Sequence, residues 1–112
     1  KDNAAIIAKL TGLHELRVAF THIKTVLPEF LKLPLKVFDV SFNEMNAAPK
    51  GWPADLEDLD LSGNELSKLP DLSALKKLQK LGVSGQRGKK TIPAEDIEAL
   101  RKANPKLKLI AD

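Results

Sequence analysis

The feature that most constrains this chain is that it repeats itself. Four segments align without gaps, opening at Leu13, Leu35, Leu56 and Leu78, so that successive copies begin 22, 21 and 22 residues apart. The first carries Leu13, Leu16, Val18, Thr21 and Ile23 at fixed offsets, and the second Leu35, Phe38, Val40, Asn43 and Met45. Leu56, Leu59, Leu61, Asn64 and Leu66 follow in the third, then Leu78, Leu81, Val83 and Gln86 in the fourth. A unit this short cannot enclose a core of its own, so each copy must bury its apolar side against its neighbours.

The letters within a copy say how it does so. The pairs Leu16/Val18, Phe38/Val40, Leu59/Leu61 and Leu81/Val83 alternate with period two, as a short strand does, and so point to one side. Three residues later the chain must turn back, which strips backbone groups of their strand partners. An amide side chain there donates and accepts at once and satisfies both kinds of orphan. Asn43 and Asn64 suit that duty; Gln86 has the same amide on a longer stem and Thr21 only a hydroxyl, so both ends should be less regular.

These four segments resemble the leucine-rich repeat, L-x-x-L-x-L-x-x-N-x-L, and the resemblance runs through nearly the whole chain. It implies an α/β fold: a right-handed solenoid with a short parallel β-sheet on its concave face and helical or irregular returns on its convex face. The repeats are placed at 13–34, 35–55, 56–77 and 78–106, in a single domain spanning 1–112. Leu69, Leu72, Leu75 and Leu78 fall at strict threes, a spacing suited to a tight helical or 3₁₀ return, and Ile7, Leu10 and Leu13 share it. Residues 1–12 therefore read as the return half of a preceding repeat or as an improvised cap, and the chain as the C-terminal part of a longer solenoid. The return holding Pro49, Gly51, Trp52 and Pro53 is irregular and looks like the bacterial style of repeat, with Trp52 as a convex-side plug.

After the fourth strand, Ile92-Pro93 opens a helix that Asn104-Pro105 stops. Glu95, Asp96 and Glu98 lie near its positive end and Arg101 and Lys102 near its negative end, while Ile97, Leu100 and Ala103 are expected to form its buried stripe. Leu107, Leu109 and Ile110 supply a last strand, which makes residues 91–112 a C-terminal cap overlapping the fourth repeat.

The outward positions of the strands define the expected binding surface. One column reads Glu15, Val37, Asp58, Lys80; the central one Arg17, Asp39, Asp60, Gly82; the third Ala19, Ser41, Ser62, Ser84. Glu15, Arg17, Val37, Asp39, Ser41, Asp58, Asp60, Ser62, Lys80 and Ser84 are thus the candidate partner-binding residues. Asp39, Asp58 and Asp60, with Glu57 beside them, form an acidic docking patch, and Arg17 is placed to neutralise Asp39 across the strands. Phe20 and Phe42 precede the turn and are expected to stack on each other in a structural role.

Little here supports catalysis. Asp39 and Asp60 would sit on strands about 4.8 Å apart, a separation reminiscent of the paired carboxylates of retaining glycosidases. Those enzymes also need a deep cleft and stacking aromatics, yet aromatics are 4% of this chain and Tyr is absent. His14 and His22 are the histidines of the chain, read as ordinary solvent-facing residues; two His without a third ligand make a poor metal site, and Ser41, Ser62 and Ser84 have no His in reach. With no Cys, thiolate chemistry and disulfides are excluded, and the absence leans towards an intracellular setting. No catalytic centre, metal or cofactor is expected, and no stretch approaches the roughly 20 apolar residues of a membrane span.

Net charge is +3, from 18 basic and 15 acidic residues, too mild for a dedicated nucleic-acid binder. The run Lys76, Lys77, Lys80, Arg87, Lys89, Lys90 reads as a solvated convex face with a mobile loop, and Gly82, Gly85 and Gly88 match no phosphate loop. The expected function is a non-catalytic protein–protein interaction module, its partner basic where it meets the acidic patch. The alternative is the recognition segment of a larger enzyme, such as a bacterial effector or a kinase-like regulator. Five strands spaced about 4.8 Å apart offer roughly 250–500 Å² of face, below the ~800 Å² per partner of a standard interface, so either loops join the contact, or binding is weak, or further repeats lie on the N-terminal side.

Overall fold

The computed structural model describes residues 14–26, 28–49, 51–69, 72, 75–88 and 91–111. Residues 1–12, Leu13, Lys89 and Lys90 lie outside the described residues, and with them the reading of 1–12 as a half-repeat or cap. The elements run β1 (Glu15–Arg17), α1 (Pro28–Leu31), β2 (Val37–Asp39), β3 (Asp58–Asp60), β4 (Lys80–Gly82), α2 (Ala94–Ala103) and β5 (Lys108–Ile110). All five strands form one parallel sheet in sequence order, β1-β2-β3-β4-β5.

The register is the one the repeat dictates. Leu16, Phe38, Leu59, Leu81 and Leu109 are successive partners across the sheet, so every copy of the motif lies directly on the next. The bonding outlasts the short strands at both ends. Before them, Val37 N–H donates to His14 O, Asp58 to Lys36 O, Lys80 to Glu57 O and Lys108 to Gln79 O. Beyond them, Val18 donates to Asp39 O, Val40 to Asp60 O, Leu61 to Gly82 O and Val83 to Ile110 O at 2.7–3.0 Å. A rigid backbone ladder about seven residues deep results from strands only three residues long.

Burial follows the predicted alternation. Leu16, Phe38, Val40, Leu59, Leu61, Leu81 and Val83 point inward and are buried, joined by Leu35, Leu56, Met45 and Leu66 from the motif ends and by Val26, Phe30, Leu33, Leu75 and Ile97 from the returns. Phe38 anchors this core with its ring edge-on to both Phe30 (6.3 Å) and Trp52 (6.4 Å). Trp52 is half-buried against the core as the plug expected, and its buried Nε1 has no hydrogen-bond partner among the described residues.

The returns are tight. Leu75 N–H donates to Leu72 O and Leu78 N–H to Leu75 O, the i→i−3 pattern that leucines at strict threes require. In α2, Pro93 caps a helix flanked by the acidic first turn and basic last turn that its dipole favours, and Asn104 closes it through N–H and Nδ2 to Leu100 O. Ile97 is buried and Leu100 half-buried, but Ala103 is exposed, contrary to expectation. Each step of three residues rotates about 300°, so Ala103 has drifted roughly 120° from the face that Ile97 buries.

Two amide residues and one longer substitute hold the turns together. Asn43 Oδ1 accepts from Thr21 N, Thr21 Oγ1 and Ile23 N, while its Nδ2 donates to Val18 O, Val40 O and Ser41 O. Asn64 accepts from Met45 N and donates to Val40 O, Leu61 O and Ser62 O. Gln86 accepts from Leu66 N and donates to Leu61 O and Val83 O, so its extra methylene does not spoil the pattern. Each amide thus bonds its own turn and the one before it.

Candidate functional site

The sheet's outward face carries the candidate residues in two aligned columns. Glu15, Val37, Asp58, Lys80 and Lys108 are partners in one, and Arg17, Asp39, Asp60, Gly82 and Ile110 in the other. Glu15 and Arg17 are exposed, while Val37, Asp39, Asp58, Asp60 and Lys80 are half-buried by their neighbours across the strands. Asp39, Asp58 and Asp60 are brought together on β2 and β3. Lys80 adjoins Asp58 on β4.

Two expectations fail on this face. Arg17 is the register partner of Asp39, yet its guanidinium lies 3.9 Å from Glu15 on its own strand and makes no ion pair with Asp39. Asp39 instead turns towards the strand end, where Oδ1 accepts from Ser41 N at 2.9 Å and Ser41 Oγ at 2.5 Å. A short carboxylate two residues before a freed N–H closes such a turn more readily than it reaches a mobile guanidinium. Ser41, placed among the partner-binding residues by its column, is consequently buried at 4% exposure and offers no hydroxyl to a partner.

The third repeat copies this turn, with Asp60 Oδ1 accepting from Ser62 N at 3.0 Å. Ser62 and Ser84 remain half-buried, and Ser62 Oγ accepts from both Ser84 N and Ser84 Oγ. Gly82 makes room for this arrangement: a Cβ there would lie 2.7 Å from Asp60 Oδ1 and 3.0 Å from Ser62 Oγ. Asp39 Oδ2 and Asp60 Oδ2 have no hydrogen-bond partner among the described residues, so each carboxylate is fixed through one oxygen.

Among the described residues no group of three His, Asp or Glu is close enough to hold a metal ion, and no helix is long and apolar enough to cross a membrane. Both histidines are exposed, but neither is idle: His14 Nδ1 lies 3.2 Å from Pro34 O, and His22 Nδ1 lies 2.7 Å from Glu44 Oε2. The bond from His22 holds the Glu44 carboxyl below its ordinary 4.5, against desolvation, which raises it, and with the charges of His22, Lys24 and Arg87 adding to the lowering.

That pair sits on a second surface, the turn edge beyond the strand ends, whose importance the sequence reading missed. Phe20, Phe42, Gly63 and Gly85 occupy the same repeat position, and all four have positive φ, at 60°, 55°, 71° and 64°. Glycine takes that conformation without cost, whereas phenylalanine is strained in it. The two rings do stack as expected, with centroids 4.8 Å apart and planes within 1°. They are nevertheless far from buried: Phe20 is 72% and Phe42 48% exposed. Glycine in the matching column of the later repeats was the available signal.

Arg87 corrects the picture of a purely solvated basic run. Its Nε donates to Gly63 O at 3.0 Å and its terminal nitrogen to Asn43 O at 2.6 Å, so it braces the turns of the two preceding repeats from 24 and 44 residues away. The planar fork of a guanidinium is what permits one side chain to serve two carbonyls. Lys76 and Lys77 are exposed as expected, with Lys77 pairing to Asp55 at 3.0 Å.

Similarity to known proteins agrees with this architecture. A sequence model of the leucine-rich repeat matches residues 55–75, the stretch containing the most regular copy. The chain is a leucine-rich-repeat solenoid. A solved leucine-rich-repeat protein of Leptospira interrogans superposes with a TM-score of 0.72 at 31% identity, over 92% of this chain. The chain spans about a quarter of that protein's length, 26%. No curated protein matches the sequence significantly. Leucine-rich-repeat domains generally mediate protein–protein interaction and are typically non-catalytic, because stacked repeats present an extended, rigid surface.

Proposed function

We propose that this leucine-rich-repeat domain is a non-catalytic interaction module that binds a basic protein segment on the outward face of its sheet, with the adjoining turns completing the contact. Glu15, Arg17, Val37, Asp39, Asp58, Asp60, Ser62, Lys80 and Ser84 form the face; Ser41 acts from beneath by holding Asp39. The observation that carries the reading is the orientation of the carboxylates. Asp39 and Asp60 are each tied through Oδ1 to a backbone N–H two residues on, and both stand on neighbouring strands hydrogen-bonded in one sheet. Fixed carboxylates lose little freedom when a cation docks, which favours affinity as well as encounter. A cysteine-free sequence supports an intracellular setting for this binding.

Selection of a random displayed-peptide library on the immobilised domain tests the proposal. Enriched peptides should carry Lys or Arg and weaken as salt is raised. They should lose at least tenfold in affinity on the Asp39→Asn, Asp58→Asn, Asp60→Asn triple variant, which keeps an acceptor oxygen at each site. Peptides without cationic bias, or equal affinity for the variant, would remove the sheet face as the binding surface.

A further inference from the structure

We propose that the stacked pair Phe20 and Phe42 is the anchor point of the interface, receiving an aromatic side chain that the bound protein segment carries next to its basic residues. This rests on the sheet-face reading above and names the rest of the partner's chemistry.

Three observations meet at this edge. The first is strain without burial in the core. At the repeat position where Gly63 and Gly85 take positive φ, the first two repeats place phenylalanine, and the rings stay in solvent instead of entering the core. Stacking offsets only part of that backbone strain, which directs the use of the pair outside the free domain. The second is shape. Phe42 lies over Gly63, where a Cβ would come within 2.5 Å of its ring, and Phe20 lies flat on Phe42. Both rings therefore lean the same way, on a glycine shelf, and Phe20 at 72% exposure leaves aromatic surface for another planar group. The third is area. The two residues expose roughly 200–300 Å² between them, too little for a second copy of the chain to dimerise upon. Added to the sheet face of ~250–500 Å², the total approaches the ~800 Å² per side of an ordinary complex.

Charge decides between the two planar groups a protein can offer. A guanidinium would approach a rim where His22, Lys24 and Arg87 all act on the carboxylate of Glu44. A neutral aromatic ring meets no such opposition, and it gains from offset stacking on Phe20. The acidic residues that favour cations lie instead on the sheet. Phe42 is three residues beyond Asp39, so at most about 10 Å from it along the chain. The segment that fits thus carries Lys or Arg over Asp39 and Asp60 and an aromatic residue about three positions away.

The test uses three fluorescein-labelled synthetic peptides: one with two arginines and a tryptophan three positions from the nearer, one with alanine for that tryptophan, and one with a third arginine in its place. Binding to the wild-type chain and to Phe20→Gly and Phe42→Gly variants is read by fluorescence anisotropy. Glycine is native to this position in later repeats, so both variants should fold, with melting temperatures equal to or above wild type. The tryptophan peptide should bind at least tenfold more tightly than either control, and that advantage should vanish in both variants. An advantage that survives the glycine substitutions, or a tri-arginine peptide that binds as well as the tryptophan one, overturns the anchor. If the anchor fails while the Asp39, Asp58 and Asp60 substitutions still weaken all three peptides, the sheet-face reading stands alone; if those substitutions change nothing, that reading fails independently.

Discussion

Replacing Asn64 with alanine measures how much the turns depend on one side chain. Asn64 is fully buried, and its amide makes four hydrogen bonds. They are not equal. Val40 O keeps a donor in Asn43 Nδ2, Leu61 O keeps Gln86 Nε2, and Ser62 O keeps Phe42 N–H, so the three carbonyls remain satisfied after the substitution. Met45 N–H loses its acceptor inside the core, which costs about 1–3 kcal/mol by itself. The surrendered bonds and the small void left by the carboxamide bring the expected loss to about 2–4 kcal/mol. Urea unfolding followed by circular dichroism measures it as a shift of midpoint at constant slope. Thr21→Ala is the control: Thr21 Oγ1 donates to Val18 O and Asn43 Oδ1 at the exposed first turn, and Val18 O retains Asn43 Nδ2. Its loss should stay near or below 1 kcal/mol. Equal shifts for the two variants, or a loss under 1 kcal/mol at Asn64, would refute the claim that the orphaned Met45 donor sets the cost.

Other consequences are as direct. Leu61→Ser should cost about 2–4 kcal/mol, because it opens a void in the core, whereas Asp60→Ser on the opposite face should cost under 1 kcal/mol; the same urea experiment compares them. Arg87→Met should lower stability by about 1 kcal/mol through the loss of two charge-assisted bonds at a partly solvated site, and Arg87→Lys should not restore it, since one ammonium does not span both carbonyls. Because the Glu44 carboxyl is held below its ordinary value, its bond to His22 stabilises the fold above the unfolded value of 4.5 and is lost as pH falls through the lower folded value. Carboxyl carbon NMR should show a Glu44 midpoint below 4.5 that returns towards it in His22→Ala. Gly82→Ala should drive Asp60 from its turn, seen as a loss of amide-exchange protection at Ser62.

What the sequence made legible was whatever the repeat enforces in every copy. The strand centres, the inward pairs, the amide ladder, the tight leucine return and the closing helix and strand all follow from letters that recur or from local capping rules. The sequence was less informative where a contact links different columns. Asp39 turning to Ser41 instead of Arg17 is decided by a two-residue local closure competing with a cross-strand ion pair, and composition does not rank them. The reach of Arg87 to Asn43 O crosses two repeats, beyond any period a local pattern encodes. Phe20 and Phe42 fitted an apolar column, from which their stacking could be read but not their exposure. The positive φ that turns them outward was written only in the glycines of other copies.

The contact between Phe42 and Gly63 also bears on how such a chain can change over generations. The ring occupies the volume that a side chain at 63 would need. Substitutions at the two positions are therefore epistatic: a Cβ at 63 is admissible only after 42 has become small, and a large ring at 42 only while 63 stays bare. Among the described residues nothing lies within 4 Å of a Cβ at Gly85, so no ring opposes a side chain there as Phe42 does at 63. Mutational history at these two positions should run in an order, with a side chain gained at 63 only after the ring at 42 has been lost.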